Sequence, residues 1–302
     1  GFIQKTLKKG LCFYNRILGG RTIEGAYYMY RWLKANSMQE YDLCISIGLP
    51  FCSHLATSFA RKKGYLRTKR LVFDYGDSYY KNKHMQLFYT AFKVEEKCLK
   101  QVDAVTVPIV EALGNFNCFN QTFSLSVIPQ GFYFEQDEFD TINLKPLNNK
   151  PSIVFAGNFY KGIRNPIPFF KKIKQEGLID SIEFTFFTDL TNSFNENVCL
   201  QMTEMGFKLG VNPFIPRNKL IKELSQHDIL LNIGNADPTA LPSKLIDYGL
   251  SKRPILTIDE NLDDAIALLY AFIDGNYERR TVVDLDKYHI SNVTKQFLKL
   301  GV

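Results

Sequence analysis

Two α/β domains, each a doubly wound parallel sheet covered by helices, are what this sequence predicts. Short apolar runs alternate with amphipathic stretches, the mark of parallel strands joined by helical crossovers. That alternation occurs twice, separated by a polar, aperiodic segment over 132–150 in which Asn148-Asn149 lies between Pro146 and Pro151. A chain of 302 residues with 45% apolar and 23% charged residues also outgrows one core, since single cores stop growing near about 250 to 300 residues. The expected domains are 1–145 and 146–285, with a helix over 286–302 able to pack on either.

Each element follows from its local pattern. YDLCISIG (41–48) reads as a buried strand, and PFCSHLATSFARKKG (50–64) as a helix with Pro near its start and Gly at its end. RLVFDYGD (70–77) is the next strand and HMQLFYTAFKVEEKCLKQVD (84–103) a long amphipathic helix. AVTVP (104–108) and LSVIPQG (125–131) are strands flanking a short helix. After the linker come the strand SIVFAG (152–157), a helix from about residue 165, the strand IEFTFFTD (182–189) and a helix through Cys199. A short strand near Phe207, the helix NKLIKELSQ (218–226), the strand DILLNIG (228–234), a helix opening near Pro242 and the strand RPILTID (253–259) complete the second domain.

The net charge of +6 and pI near 8.8 favour an anionic partner: a nucleotide, a membrane surface or a nucleic acid. No nucleic-acid module accompanies the charge, so nucleic acid is not expected. The six cysteines (Cys12, Cys44, Cys52, Cys98, Cys118, Cys199) form no CxxC pair and fit a reducing compartment. No apolar run approaches the about 18 residues that a spanning helix needs, so a cytoplasmic protein is expected. KTLKKGLCFYNRILGGR (5–21) and RKKGYLRTKR (61–70) mix cations with apolar residues, as surfaces resting on the inner face of an anionic membrane do; a solvated basic face has the same composition.

The stretch LPSKLIDYGLSKRPIL (241–256) carries the most chemistry. Pro242 suits a first helical position, and Ser243 and Lys244 would add a hydroxyl and a cation to the free amides of the first turn. Asp247 lies four residues after Ser243, so it projects from the same face about 6 Å further along the axis. That offset suits a nucleoside diphosphate, with phosphates at the helix start and ribose hydroxyls on the carboxylate. An ordinary capped helix with a surface acid has the same spacing. The first βα turn of the same domain, SIVFAGNFYKGIRNP (152–166), ends a strand at Gly157 and offers Asn158, Lys161 and Arg164 to the same edge of the sheet. On the first domain, His54, near the start of a helix after a strand, and Asp74 and Asp77, at the end of the next strand, are the polar residues best placed to face a crevice. His54 also fits a helix-start hydrogen-bonder and Asp77 a turn former. His84, His227 and His289 belong to no constellation.

With these residues in view, the sequence resembles the GT-B-fold glycosyltransferases, and within them the retaining, family 4-like group that includes sucrose-phosphate synthases and many bacterial capsule and O-antigen transferases. PSKLIDYGLSKRPIL is similar to the group's P-S-K-x-x-E-Y-x-x-x-G-K-P-I helix and strand. VIPQGFYFE (127–135) is similar to its IPNG turn, and FAGNFYKG to its first donor-domain strand. DLCISIGLPFCSHLA and FDYGDSYY resemble acceptor-domain strands.

The resemblance implies two domains facing a crevice. Lys161 and Lys244 would be the catalytic cations, Gly157, Asn158, Arg164, Ser243 and Asp247 the remaining donor-binding residues, and His54, Asp74 and Asp77 the acceptor side. It implies hexosyl transfer with retention from a nucleotide-diphosphate sugar to a saccharide or polyprenyl-linked saccharide, in surface polysaccharide synthesis. The donor is a substrate, and neither a cofactor nor a metal is expected; the Asp284 and Asp286 pair sits in a late, exposed segment. Four departures stand out: Asp247 replaces a longer Glu, Thr239 stands where many members have a Glu that contacts the sugar, Asn158 replaces an Arg, and a basic amphipathic stretch replaces the opening strand and glycine-rich loop. A missing upstream strand is therefore expected. The absent N-terminal loop and Thr239 keep an inactive nucleotide-sugar-binding subunit as an alternative; a sugar-nucleotide epimerase of the same fold is another, which would need acid and base carboxylates in the crevice, and the sequence offers no convincing set.

Overall fold

The computed structural model describes residues 17–19, 22–82, 85–135, 142–148, 150–160, 165–234, 244–259 and 261–301. The described residues form two compact units: those up to Phe132 together with those from Lys287, and those from Tyr133 to Asp286.

The first unit contains α1 (Thr22–Ala35), β1 (Glu40–Gly48), α2 (Cys52–Lys62), β2 (Arg67–Tyr75), α3 (Tyr89–Leu99), β3 (Ala104–Val107), a 3-10 helix (Val110–Phe116) and β4 (Ser124–Val127). The four strands are parallel and lie side by side in chain order. Leu71, Val72 and Phe73 are consecutive and all buried, as expected of a strand covered on both faces. α1 was not expected. Its buried residues are Thr22 and Ala26, whereas Tyr27, Tyr28, Met29 and Trp32 are exposed, so its large apolar residues do not trace the face it buries. α3 is shorter than the expected 84–103, because Phe88 before it is extended (φ −73°, ψ 161°).

The second unit contains β5 (Ser152–Ala156), α4 (Ile167–Gln175), β6 (Glu183–Phe187), α5 (Ser193–Glu204), β7 (Leu209–Asn212), α6 (Arg217–Leu224), β8 (Ile229–Ile233), α7 (Lys244–Leu250), β9 (Ile255–Ile258) and α8 (Leu262–Ile273). Its sheet is parallel in the order β7-β6-β5-β8-β9. Chain and space thus run one way from β5 to β7 and the other from β8 to β9, the doubly wound pattern. On one face Phe170, Phe184 and Phe207 meet edge to face with ring centroids 4.9 to 5.8 Å apart. The strand expected near Phe207 begins at Leu209, because Phe207 itself is spent on this core.

The chain approaching β5 is tied down by Asp228, just before β8. Its carboxylate accepts from the Leu147 and Ser152 amides, the Asn148 side chain and the Ser152 hydroxyl at 2.6 to 3.0 Å. Burial acts to raise its pKa, and these bonds outweigh that and hold it below the usual carboxylate value.

After α9 (Leu285–Tyr288), α10 (Ile290–Lys299) belongs to the first unit. Phe132 donates to the Tyr288 carbonyl and accepts from the Ile290 amide, at 2.8 and 2.9 Å, and Arg70 Nε donates to the Leu300 carbonyl at 3.1 Å. The described helices include none long and apolar enough to cross a membrane.

Candidate functional site

In the second unit the winding reverses between β5 and β8, and open α/β sheets bind ligands at the carboxyl ends of the strands flanking such a point. β5 runs out into Gly157, whose φ of +138° is a conformation that side-chain-bearing residues rarely adopt. Its amide donates to the Phe187 carbonyl of β6 at 2.9 Å. The next residue, Asn158, is held from the side: its Oδ1 accepts from Asn195 Nδ2 at 2.9 Å and from the Asp189 amide at 3.4 Å. Asn195 is wholly buried and also takes the Phe159 amide, so this polar lattice fixes the course of the loop as it leaves the strand.

α7 closes over the same strand ends. Tyr248, wholly buried, accepts from the Ala156 amide at 2.9 Å and donates to the Leu231 carbonyl at 3.1 Å, pinning the helix to β5 and β8 at once. One turn earlier, the Lys244 stem passes Gly157, its Cδ 3.8 Å from where a Cβ would stand. Its ammonium lies 4.3 Å from the Phe155 ring centroid and 5.8 Å from that of Tyr248. Lys244 is thereby held over the end of β5.

Asp247 is ion-paired: Arg217 Nε donates to its Oδ1 at 2.6 Å. Burial pushes the Asp247 carboxyl above its ordinary pKa, and Arg217 works against that shift. The structure thus gathers Gly157, Asn158, Lys244 and Asp247 on one edge of one sheet. Lys161, Arg164 and Ser243 lie outside the described residues, as do Thr239 and Pro242.

On the first unit the expected acceptor residues separate. His54 is a correction: it is wholly buried, stacked on Phe73 at 4.1 Å with Nδ1 2.8 Å from the Ser46 hydroxyl, and burial lowers its pKa to about 3. A neutral ring inside an aromatic core faces no ligand. Asp74, at the end of β2, accepts from the Thr106 hydroxyl at 2.7 Å; burial raises its pKa and that bond pulls it back. Asp77 is exposed in the following turn.

Sequence reasoning missed Arg217 and Tyr248. Both had a signal: Tyr248 lies one turn after Lys244 on the same helical face, and Arg217 opens a helix that follows a strand, which places it at the carboxyl edge.

No family model matches the sequence, and no curated protein does. Solved structures do match. TarM of S. aureus aligns with a TM-score of 0.60 at 10% identity over 90% of this chain, which spans 57% of TarM. HepE of Anabaena, solved with UDP and glucose, aligns at 0.61 and 10% over 90% of this chain and 80% of its own length. The lipopolysaccharide outer core galactosyltransferase WaaB, in its apo form, aligns at 0.60 and 15% over 93% of this chain and 79% of its own. These are GT-B glycosyltransferases, and the chain has their fold.

Proposed function

We propose that the chain is a glycosyltransferase that moves a hexosyl group, with retention and without a metal ion, from a nucleotide-diphosphate sugar to a saccharide or polyprenyl-linked saccharide in surface polysaccharide synthesis. One observation carries the reading: Lys244, held over the end of β5 beside Gly157, with Asp247 one turn further along α7. A cation followed by a carboxylate at the switch point of a doubly wound sheet matches a diphosphate followed by a ribose.

In this reading the bond from the anomeric carbon to the donor's phosphate oxygen breaks. The acceptor oxygen bonds to the same face of that carbon, and its proton passes to the departing phosphate. The protein supplies positive charge where the leaving group becomes more negative, through Lys161, Arg164 and Lys244, with Ser243 donating a hydroxyl. Gly157 and Asn158 shape the loop beneath the phosphates. Asp74 and Asp77, at the carboxyl edge of the first unit, are the acceptor-side residues retained. The exposed Tyr27, Tyr28 and Trp32 of α1, beside the exposed Arg31 and Lys34, support peripheral contact with the cytoplasmic face of an anionic membrane, where a polyprenyl-linked acceptor resides.

The test is thermal stabilisation by UDP, GDP, ADP, dTDP and CDP, applied to this chain and to Lys244→Ala. A nucleotide present at a hundredfold excess over its Kd adds about 2.7 kcal/mol, and this gain should vanish in the variant. No response to any of the five rejects the donor site. Sugar transfer to an acceptor, followed by NMR of the product anomer, then separates an enzyme from a binding subunit; loss of Lys244 should slow turnover by about a hundredfold.

A further inference from the structure

Asp247 reaches its position on a helix of the β8 crossover, Arg217 on a helix of the β7 crossover, and the two meet at 2.6 Å. The pair is partly shielded: the Asp247 side chain is 20% exposed and that of Arg217 40%. Two other shielded pairs, Arg253 with Asp228 and Arg61 with Asp103, sit at amino edges of their sheets, where each acid immediately precedes a strand. The first ties the approach to β9 to the start of β8, and the second ties the end of α2 to the start of β3. The Arg217 pair lies at the opposite edge, beside Lys244, where ligands of this fold bind.

Its geometry is that of a clamp. Arg217 is the first residue of α6, directly after Pro216, and its Nη1 also donates to the Tyr133 carbonyl at 3.4 Å. The guanidinium is therefore held on two sides. Of the two carboxylate oxygens of Asp247, the guanidinium takes Oδ1, and among the described residues no donor is seen on Oδ2. A short aspartate has two side-chain torsions, and a bond to one oxygen settles both and fixes where the other oxygen points.

We propose that Arg217 is a positioning residue of the donor site, holding Asp247 so that its second oxygen accepts from the ribose hydroxyls of the nucleotide. This rests on the donor reading of α7 given above. Arg217 does for the shorter acid what a longer glutamate would do by reach alone.

The experiment measures affinity for UDP, GDP, ADP and CDP and for the 2′-deoxy analogue of each, on the native chain and on Arg217→Met, Arg217→Lys and Asp247→Asn, with melting temperatures recorded alongside. For the nucleotide that binds, the native chain should prefer ribose by about tenfold or more, the worth of a hydrogen bond to a charged group. Asp247→Asn should abolish most of that preference. Arg217→Met should do the same while melting close to the native temperature, and Arg217→Lys, which keeps the charge without the fixed fork, should fall between. The preference is the readout, because a merely structural role for Arg217 would lower stability without changing the ratio. If Asp247→Asn loses the preference and both Arg217 variants keep it in full, the positioning role is overturned and the donor site stands. If dTDP binds and none of these four does, the ribose inference is overturned and the donor site stands; if Asp247→Asn binds and discriminates like the native chain, or if neither the four nor dTDP binds, the donor reading fails and this inference with it.

Discussion

At the scale of single residues, Glu95 shows how burial turns a common side chain into a titrating one. It sits on α3 inside the first core, 2% exposed, and accepts from the Tyr80 amide at 3.2 Å. Burial pushes its pKa up to about 7 against the pull of that amide. The folded unit therefore binds a proton that the unfolded chain releases near pH 4.5. The stability this contributes is complete at low pH and is lost as pH rises through 7. Glu95→Gln should remove that dependence: denaturant titrations at pH 5 and pH 8 should find the variant gaining up to about 3 kcal/mol on the native chain between the two. A native first unit with the same stability at both pH values would show that Glu95 does not titrate there. His54 illustrates the converse, an ionisable group that burial holds neutral across the whole physiological range.

At the scale of elements, α7 matters more for where it is fixed than for its length. Seven residues make a marginal helix in isolation, so its position comes from tertiary contacts. Tyr248 supplies two of these through one hydroxyl. Tyr248→Phe keeps the ring and leaves the buried Ala156 amide and Leu231 carbonyl short of a partner, which should cost about 1 to 3 kcal/mol. Because the same hydroxyl carries Lys244 and Asp247 to the strand ends, nucleotide affinity should fall as well; calorimetric unfolding and the nucleotide titration together check both. The apolar runs of β5, β8 and β9 made the strands beneath α7 legible in the sequence. α8 and α1 were not expected. In α1 the exposed aromatic residues mask the small buried face of Thr22 and Ala26.

At the scale of the molecule, the chain leaves the first unit after Phe132 and returns to it at Lys287. The first unit is thus completed by residues remote in sequence: Val293 is buried, Ile290 and Val293 approach Gly131, and Arg70 of β2 donates to Leu300. Removing residues 287–302 should destabilise the first unit by about 3 to 5 kcal/mol, from one buried aliphatic side chain and several hydrogen bonds. Hydrogen exchange should then lose protection in β1 and β2 and keep it in β5 and β8. Uniform protection across both sheets would mean that the C-terminal helix is not part of the first unit's fold.

By itself the sequence determined the class of the protein, because strand and helix periods, turn residues and apolar runs are local and survive in one dimension. It marked Gly157, Lys244 and Asp247 for the same reason: each lies next to a strand end or helix start whose chemistry is written in its neighbours. Only the tertiary structure decided that Asp247 is clamped by Arg217, thirty residues earlier, that Tyr248 joins two strands, and that His54 is buried rather than presented. Those outcomes depend on which crossovers lie side by side, and a one-dimensional pattern does not encode the distance between side chains on different elements.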